Sequence, residues 1–265
     1  MPTGSTQLSI LALSHIPMIN RGDDLGNIIL DGLIADGFQL EAGDVIILAQ
    51  KIVSKAEGRV VDLTTVTPSP KAVELAHTVD KDPRLVELIL RESSEVVRTR
   101  KGVLIVAHKL GFILANAGID HSNVDQGGKD KEDMNQEENI LLLPEDPDTS
   151  CQKIRDTLTT ATGIDIPVMI IDSIGRAWRN GTVGISIGIS GLPGVIDLRG
   201  EPDLAGTPLQ TSELGYADEV AAAASLMMGQ GNEGCPVIVM RGLPYGRRNG
   251  HASELIRPRE MDLFR

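Results

Sequence analysis

Three short stretches of this chain set oxygen-rich side chains directly after apolar runs. NAGIDHSNVD, residues 116–125, follows KGVLIVAHKLGFILA and offers two carboxylates, two amides, an imidazole and a hydroxyl. Hard ligands of this kind suit a divalent cation such as Mg²⁺ or Mn²⁺. The same residue types also build tight turns through local hydrogen bonds, so the segment alone supports either reading. Asp172 and Ser173 close the run IPVMIID, which puts a carboxylate at the strand edge where α/β sheets collect ligands; a cap or turn would use the same pair. MGQGNEGC, residues 228–235, is the third. Its glycines let backbone N–H groups come close to a phosphate, and they equally suit a plain helix C-cap. It is not a Walker A sequence, and no GxGxxG follows a strand. Lys55 in VSKAEGR adds a point charge for a phosphate, or is simply solvated. Arg176 and Arg179 in GRAWRNG could bind anions or pair with the many acids, with Trp178 between them expected to pack. His15 and His108 show no metal-pair spacing and read as structural or surface groups; His121 stays open because of its neighbours.

Alternating strands and capped helices must position these groups. Leu8 to Leu13 reads as a first strand, followed by a helix capped by Asp23 or Asp24 and ended by Gly37. GDVIILAQ is a turn and a buried strand, and KIVSKAEGRVVDL is polar enough for a surface or a site. SPKAVELAHTV and DPRLVELILRES are helices, the second with Asp82 as N-cap and Pro83 at its first position. VLIVAHK and GFILANAG form two strands, joined in a hairpin around Leu110 and Gly111. Residues 125–139, DQGGKDKEDMNQEEN, are polar and aperiodic and read as a solvated insertion loop. Further on come ILLLP, a capped helix in DTSCQKIRDTLTTATG, and the compact run IPVMIID expected of a buried parallel strand. TVGISIGIS is a strand with close backbone approaches, ADEVAAAASLMM a helix and PVIVMRG a last strand. The pattern predicts an α/β fold of the mixed α+β kind, too irregular for a doubly wound sheet.

Bulk properties narrow the function classes. The apolar fraction of 41% supports a core, and with aromatics at 2% that core must rest on Ile, Leu, Val, Ala and Met. A formal charge of -12 argues against a nucleic-acid binder, which would carry a basic stripe. Cys151 and Cys235 match no metal or redox spacing, and both are expected as reduced thiols in a cytoplasmic protein. No signal segment or membrane-length apolar run is present, so no membrane partner is expected.

Six blocks in order, IPMINRGDDL, GDVIILAQKIVSKAEGR, NAGIDHSNV, LLLPEDPD, DSIGRAWRNGTVGISIGISG and DEVAAAASLMMGQGNEGCPVIVMRGL, resemble the coenzyme F(420):L-glutamate ligase family, also called gamma-glutamyl ligase. The resemblance runs from about residue 8 to 244 and implies a single catalytic domain over 1–265, with the 125–139 insertion. It also implies an unusual gamma-glutamyl ligase-type fold forming an intertwined homodimer. The implied chemistry is GTP-dependent addition of L-glutamate to the deazaflavin precursor F(420)-0, with one or two Mg²⁺ or Mn²⁺ ions and K⁺ as a further candidate. Carried over position by position, nucleotide contacts fall on Ile16, Pro17, Met18, Ile19, Gln50, Lys51, Lys55 and Asn123. Met228, Gly229, Gln230, Gly231, Asn232, Glu233, Gly234 and Cys235 complete that site. Metal ligands fall on Asp120, Asp172, Ser173 and Gln230, while Asn116 and Gly118 shape the turn. Family members carry Glu at Gln230, Thr at Ser173 and a small hydroxyl pair at Gln50-Lys51. The implied catalytic roles are cation binding by Asp120 and Asp172 and phosphate contact by Lys55. A metal-dependent phosphohydrolase or nucleotidyl transferase, and a GTP-binding protein without turnover, use the same residues and stay open.

Overall fold

A computed structural model of the chain describes residues 7–120, 138–244 and 248–263. In chain order its elements are β1 (Ser9–Ala12), α1 (Leu25–Ala35), β2 (Val45–Ala49), α2 (Gln50–Ala56), β3 (Val60–Asp62), α3 (Pro70–Val79), α4 (Pro83–Arg91), β4 (Ser93–Arg100), β5 (Val103–His108), β6 (Ile113–Ala115) and β7 (Asn139–Leu141). There follow α5 (Pro147–Thr162), β8 (Val168–Arg176), β9 (Arg179–Ser190), β10 (Ile196–Asp197), β11 (Glu213–Leu214), α6 (Tyr216–Met228) and β12 (Val237–Arg241).

The central sheet has the order β1-β12-β2-β8-β9. Only β2 and β8 run parallel, and the other pairs are antiparallel. Strand alternation sends side chains to opposite faces. Ile46, Leu48, Val168, Ile170, Val237 and Val239 therefore meet α1 and α5 on one side, in a core with Ile29, Leu33 and Leu158. Val45, Ile47, Met169, Ile171, Ile238 and Met240 meet α6 on the other, against Ala217, Val220 and Ala224. A third core, with Val79, Val86, Ile89, Leu104, Val106 and Ile140, joins α3 and α4 to the β4-β5-β6 sheet and to β7. This mixed architecture is the α/β arrangement expected from the sequence.

Local signals explain most element ends. Asp24 caps α1, its side chain accepting from Asn27 N, and Gly37 follows the helix at φ 65°. Asp146 caps α5 with Pro147 in the first turn, and Gly163 ends it in the left-handed region. Gly184 and Gly188 show why β9 is glycine-rich. A Cβ at Gly184 would lie 2.6 Å from Ala221 O of α6, and one at Gly188 would lie 2.6 Å from the Pro147 backbone carbon of α5.

One helix carried no signal, and three expectations need correction. KIVSKA, read only as polar enough for a surface or a site, is helical in α2, which leaves β2 without a linker, and it lines the cavity described below. The helix read over DPRLVELILRES ends at Arg91, and Ser93 opens strand β4, whose two register shifts hide its alternation. Asn139, assigned to the insertion loop, opens β7 and pairs with Asp62, while 125–137 lie outside the described residues. Trp178 is not buried: it is 81% exposed at φ 57°, at the tip of the β8–β9 hairpin.

Candidate functional site

β2 and β8 end their parallel pairing at Ala49 and Ile171. Asp172 is the next residue, so it sits beyond the C-terminal end of β2 although it does not end its own strand. β8 continues to Arg176, paired only with β9, because the hairpin outruns the rest of the sheet. A register shift between Ile170 and Ile171 lies directly beside Asp172. Such bulges re-aim side chains next to active sites.

Asp120 arrives by a different route. Asn116, Ala117 and Gly118 have φ of 52°, 56° and 65°, three successive left-handed residues. That conformation costs roughly 1–2 kcal/mol per ordinary residue and is easiest for Gly and Asn. Asn116 Oδ1 accepts from Leu104 N at 3.1 Å, and Ala117 is fully buried. Asp120 is then pinned to Leu141 of β7 by reciprocal backbone hydrogen bonds of 3.0 and 2.9 Å.

The glycine-rich loop forms the facing wall. Gly229 has φ 76° and ψ −179°, a conformation open essentially only to glycine, and Gly234 has φ 70°. Glu233 turns its carboxylate back on its own loop, accepting from Gly231 N at 2.7 Å. Hydrogen bonds from its own and the Gly231 N–H hold its carboxyl below the ordinary value. Gln230 Oε1 accepts from Thr182 Oγ1 of β9 at 3.4 Å.

These segments enclose a cavity of about 490 Å³. Ile16, Pro17, Met18, Ile19, Gln50, Lys51, Lys55, Asp120, Asp172, Ser173 and the loop residues Met228–Asn232, Gly234 and Cys235 all line it. The structure thus brings together every expected site residue except two. Asn123, with His121, lies outside the described residues, and Glu233 faces its own loop. Sequence reasoning missed the apolar floor of Ala49, Ile52, Ile171 and Pro236, which carries no signal beyond strand and helix packing. It also missed an ion pair: Lys51 Nζ lies 2.6 Å from Asp120 Oδ2. Gln50 is buried and accepts from Ser54 Oγ at 2.8 Å, so its oxygen is already engaged along α2.

Burial pushes the Asp172 carboxyl up to about 6, with the Asp120 carboxylate adding to the rise; the Ser173 N–H and Lys51 oppose it. Two carboxylates lining one partly desolvated cavity favour a cation there. The donors are all hard oxygens: Asp120, Asp172, the Ser173 hydroxyl and the Gln230 amide. Among the described residues no cluster of three His, Cys, Asp or Glu side chains could form an all-protein cage. Two carboxylates with phosphate oxygens are how Mg²⁺ is commonly held, so this donor set fits such an ion bound together with a nucleotide. Cys235 lines the cavity, while Cys151 lies buried in the core. Both are free thiols, and burial raises the Cys151 thiol well above its ordinary range. His108 is buried and structural, its Nδ1 accepting from Leu110 N.

Comparison with known proteins decides the family. The family model described as "F420-0:Gamma-glutamyl ligase" matches residues 14–242. The chain belongs to the F420-0:gamma-glutamyl ligase family. A relative from Methanothermobacter thermautotrophicus named "Coenzyme F420:L-glutamate ligase" is 44% identical over 97% of this chain and 99% of its own length. Relatives of the same name from Methanocaldococcus jannaschii and Archaeoglobus fulgidus are 41% and 38% identical, over 95% and 98% of this chain and 94% and 97% of their own. This gamma-glutamyl ligase relationship spans every cavity-lining segment. Among the described residues no helix is long and apolar enough to cross a membrane.

Proposed function

We propose that this protein is a GTP- and divalent-cation-dependent ligase that joins L-glutamate to F(420)-0 by a gamma-glutamyl amide bond in coenzyme F(420) biosynthesis. The observation that carries the reading is one cavity lined by Asp120, Asp172, two lysines and a glycine loop, in a chain of this family. A carboxylate is a poor acyl donor and must be activated before an amide can form. The γ-phosphoryl group of GTP passes to the terminal carboxylate of F(420)-0, GDP leaves, and the glutamate amine displaces phosphate from the acyl phosphate. Catalysis of such a transfer is mostly positioning and charge neutralisation.

Asp120 and Asp172 would hold Mg²⁺ or Mn²⁺, with Ser173 and Gln230 as neutral oxygen donors. A bound ion neutralises phosphate charge there. Lys55 and Lys51 bring ammonium groups to the phosphates, and the 228–235 loop would add backbone amides once the Glu233 carboxylate, which holds the Gly231 and Glu233 N–H groups, gives way. Ile16 to Ile19 and Ile52 supply apolar walls for the base and ribose. Gln230 is a weaker ligand for a hard cation than a carboxylate, so a second ion, or K⁺, would depend more on the nucleotide's own oxygens. We read the working form as a homodimer in the cytoplasm; light scattering at micromolar concentration giving a monomer mass would refute the first part.

Product mass spectrometry after incubation with GTP, Mn²⁺, glutamate and F(420)-0 tests the reaction. The expected product is F(420)-0 extended by glutamate, with GDP formed in equal amount only when both acceptors are present. GDP formation without glutamate and F(420)-0 would favour a phosphohydrolase, and tight GTP binding with no product would favour a non-catalytic role.

A further inference from the structure

The acid pair does not stand alone in the cavity. The Lys51 ammonium lies 2.6 Å from Asp120 Oδ2, with the two side chains 39% and 25% exposed. Its charge also reaches Asp172, where it opposes the rise imposed by burial and by Asp120. We infer that Lys51 is a resident counter-ion of the Asp120–Asp172 pair, which a divalent cation must displace and which then transfers to the phosphates of the nucleotide. The inference rests on the cation reading proposed above.

Three features support it. Lys51 is the second residue of α2, which leaves β2 without a linker, and Asp120 is pinned by its bridge to Leu141. Both backbones are therefore fixed, and the moving part is a four-carbon side chain carrying a rotatable point charge. An arginine would grip the carboxylate with two parallel hydrogen bonds and release it less readily. The same cavity holds the 228–235 loop and Lys55, so phosphates bound there would offer Lys51 a new partner without a backbone change. The exchange explains how two carboxylates share the cavity before loading, since the Asp120 charge raises the Asp172 carboxyl and the Lys51 charge lowers it.

The test is Mn²⁺ binding to nucleotide-free protein, read from the electron paramagnetic resonance signal of the free ion, for wild type, Lys51→Met and Lys51→Arg. The Met variant is expected to bind Mn²⁺ about tenfold tighter, the scale of one neighbouring charge in a partly exposed site. The Arg variant should bind no tighter than wild type. Equal or weaker binding by Lys51→Met overturns the counter-ion role and leaves the cation reading standing. Absence of binding in both wild type and Lys51→Met, with and without a non-hydrolysable GTP analogue, overturns both. A second readout needs no substitution: acetic anhydride should label Lys51 faster once Mn²⁺ is added, and more slowly again when a non-hydrolysable GTP analogue follows. A labelling rate that Mn²⁺ leaves unchanged contradicts the displacement.

Discussion

The cavity has two walls made in different ways. One is regular: β2 and β8 carry Ala49, Ile171 and Asp172 to a common edge, Gln50 opens α2 directly after Ala49, and buried side chains on both faces of the sheet lock that edge. The other is irregular: the turn Asn116–Gly118 delivers Asp120, and the 228–235 loop presents its backbone through glycines in conformations closed to most residues. A carboxylate can be placed by packing alone. Aiming backbone amides and sharply redirecting the chain need special dihedrals. On this account damage to the strand wall should strike chemistry, damage to the 228–235 loop should strike nucleotide binding, and damage to the turn before Asp120 should cost stability and metal affinity.

The largest effect is expected for Asp172→Asn. Loss of one ligand charge should lower ligation by at least about a hundredfold, as several kcal/mol of transition-state stabilisation go with it. The nucleotide-free melting temperature should not fall, because the variant removes a charge that burial already penalises. Near-normal turnover at saturating Mn²⁺ would break the strand-wall half of the comparison. Gly229→Ala tests the other half. Strain of about 1–3 kcal/mol at φ 76° and ψ −179° should reshape an exposed loop. GTP affinity by calorimetry should fall roughly tenfold, with a smaller change in melting temperature. Unchanged affinity would show that these amides do not face the phosphates.

Asn116→Ala should act between these extremes. It removes the acceptor of Leu104 N and puts a second alanine in the left-handed turn, at a cost of about 1–2 kcal/mol in denaturant unfolding. Because Asp120 follows that turn, the Mn²⁺ concentration for half-maximal activity should rise as well.

The smallest effect on the site is expected from Glu254→Gln, which sharpens the contrast as a distant control. Glu254 accepts from Arg248 and from the Gly194 and Val195 N–H groups, and the Arg248 guanidinium foremost holds its carboxyl down to about 2 from 4.5. A depressed carboxyl contributes stability that is present above the unfolded value and is lost as pH falls through the folded one. The melting-temperature difference between wild type and Glu254→Gln should therefore be full above pH 4.5 and shrink toward pH 2. Mn²⁺ and GTP affinities should not change. A pH-independent difference would remove the ion pair from the account.

The regular wall was largely legible in the sequence, and the irregular one only as composition. Asp24 and Asp82 as caps, Pro83 at a helix start, the β5–β6 hairpin and the buried parallel run at Val168 each follow from a local physical signal. Helix α2 was hidden because no side chain caps it and the chain enters it straight from a strand. Strand β4 was hidden because bulges spoil its period, and the reach of β8 past Asp172 because the hairpin leaves the apolar core. NAGIDHSNVD and MGQGNEGC announced turns and polar ligands, but not which way those ligands turn. Glu233 satisfies its own loop and Lys51 meets Asp120. Both depend on contacts between segments far apart in the chain or on loop dihedrals, which no short motif encodes.

The most direct measurement is the anomalous scattering of Mn²⁺ in crystals of the protein grown with GDP. The account predicts a manganese peak in direct contact with the carboxylates of Asp120 and Asp172 and with a phosphate oxygen of GDP, the nucleotide lying against the 228–235 loop. A manganese peak remote from these two carboxylates, or GDP bound outside this cavity, would contradict it.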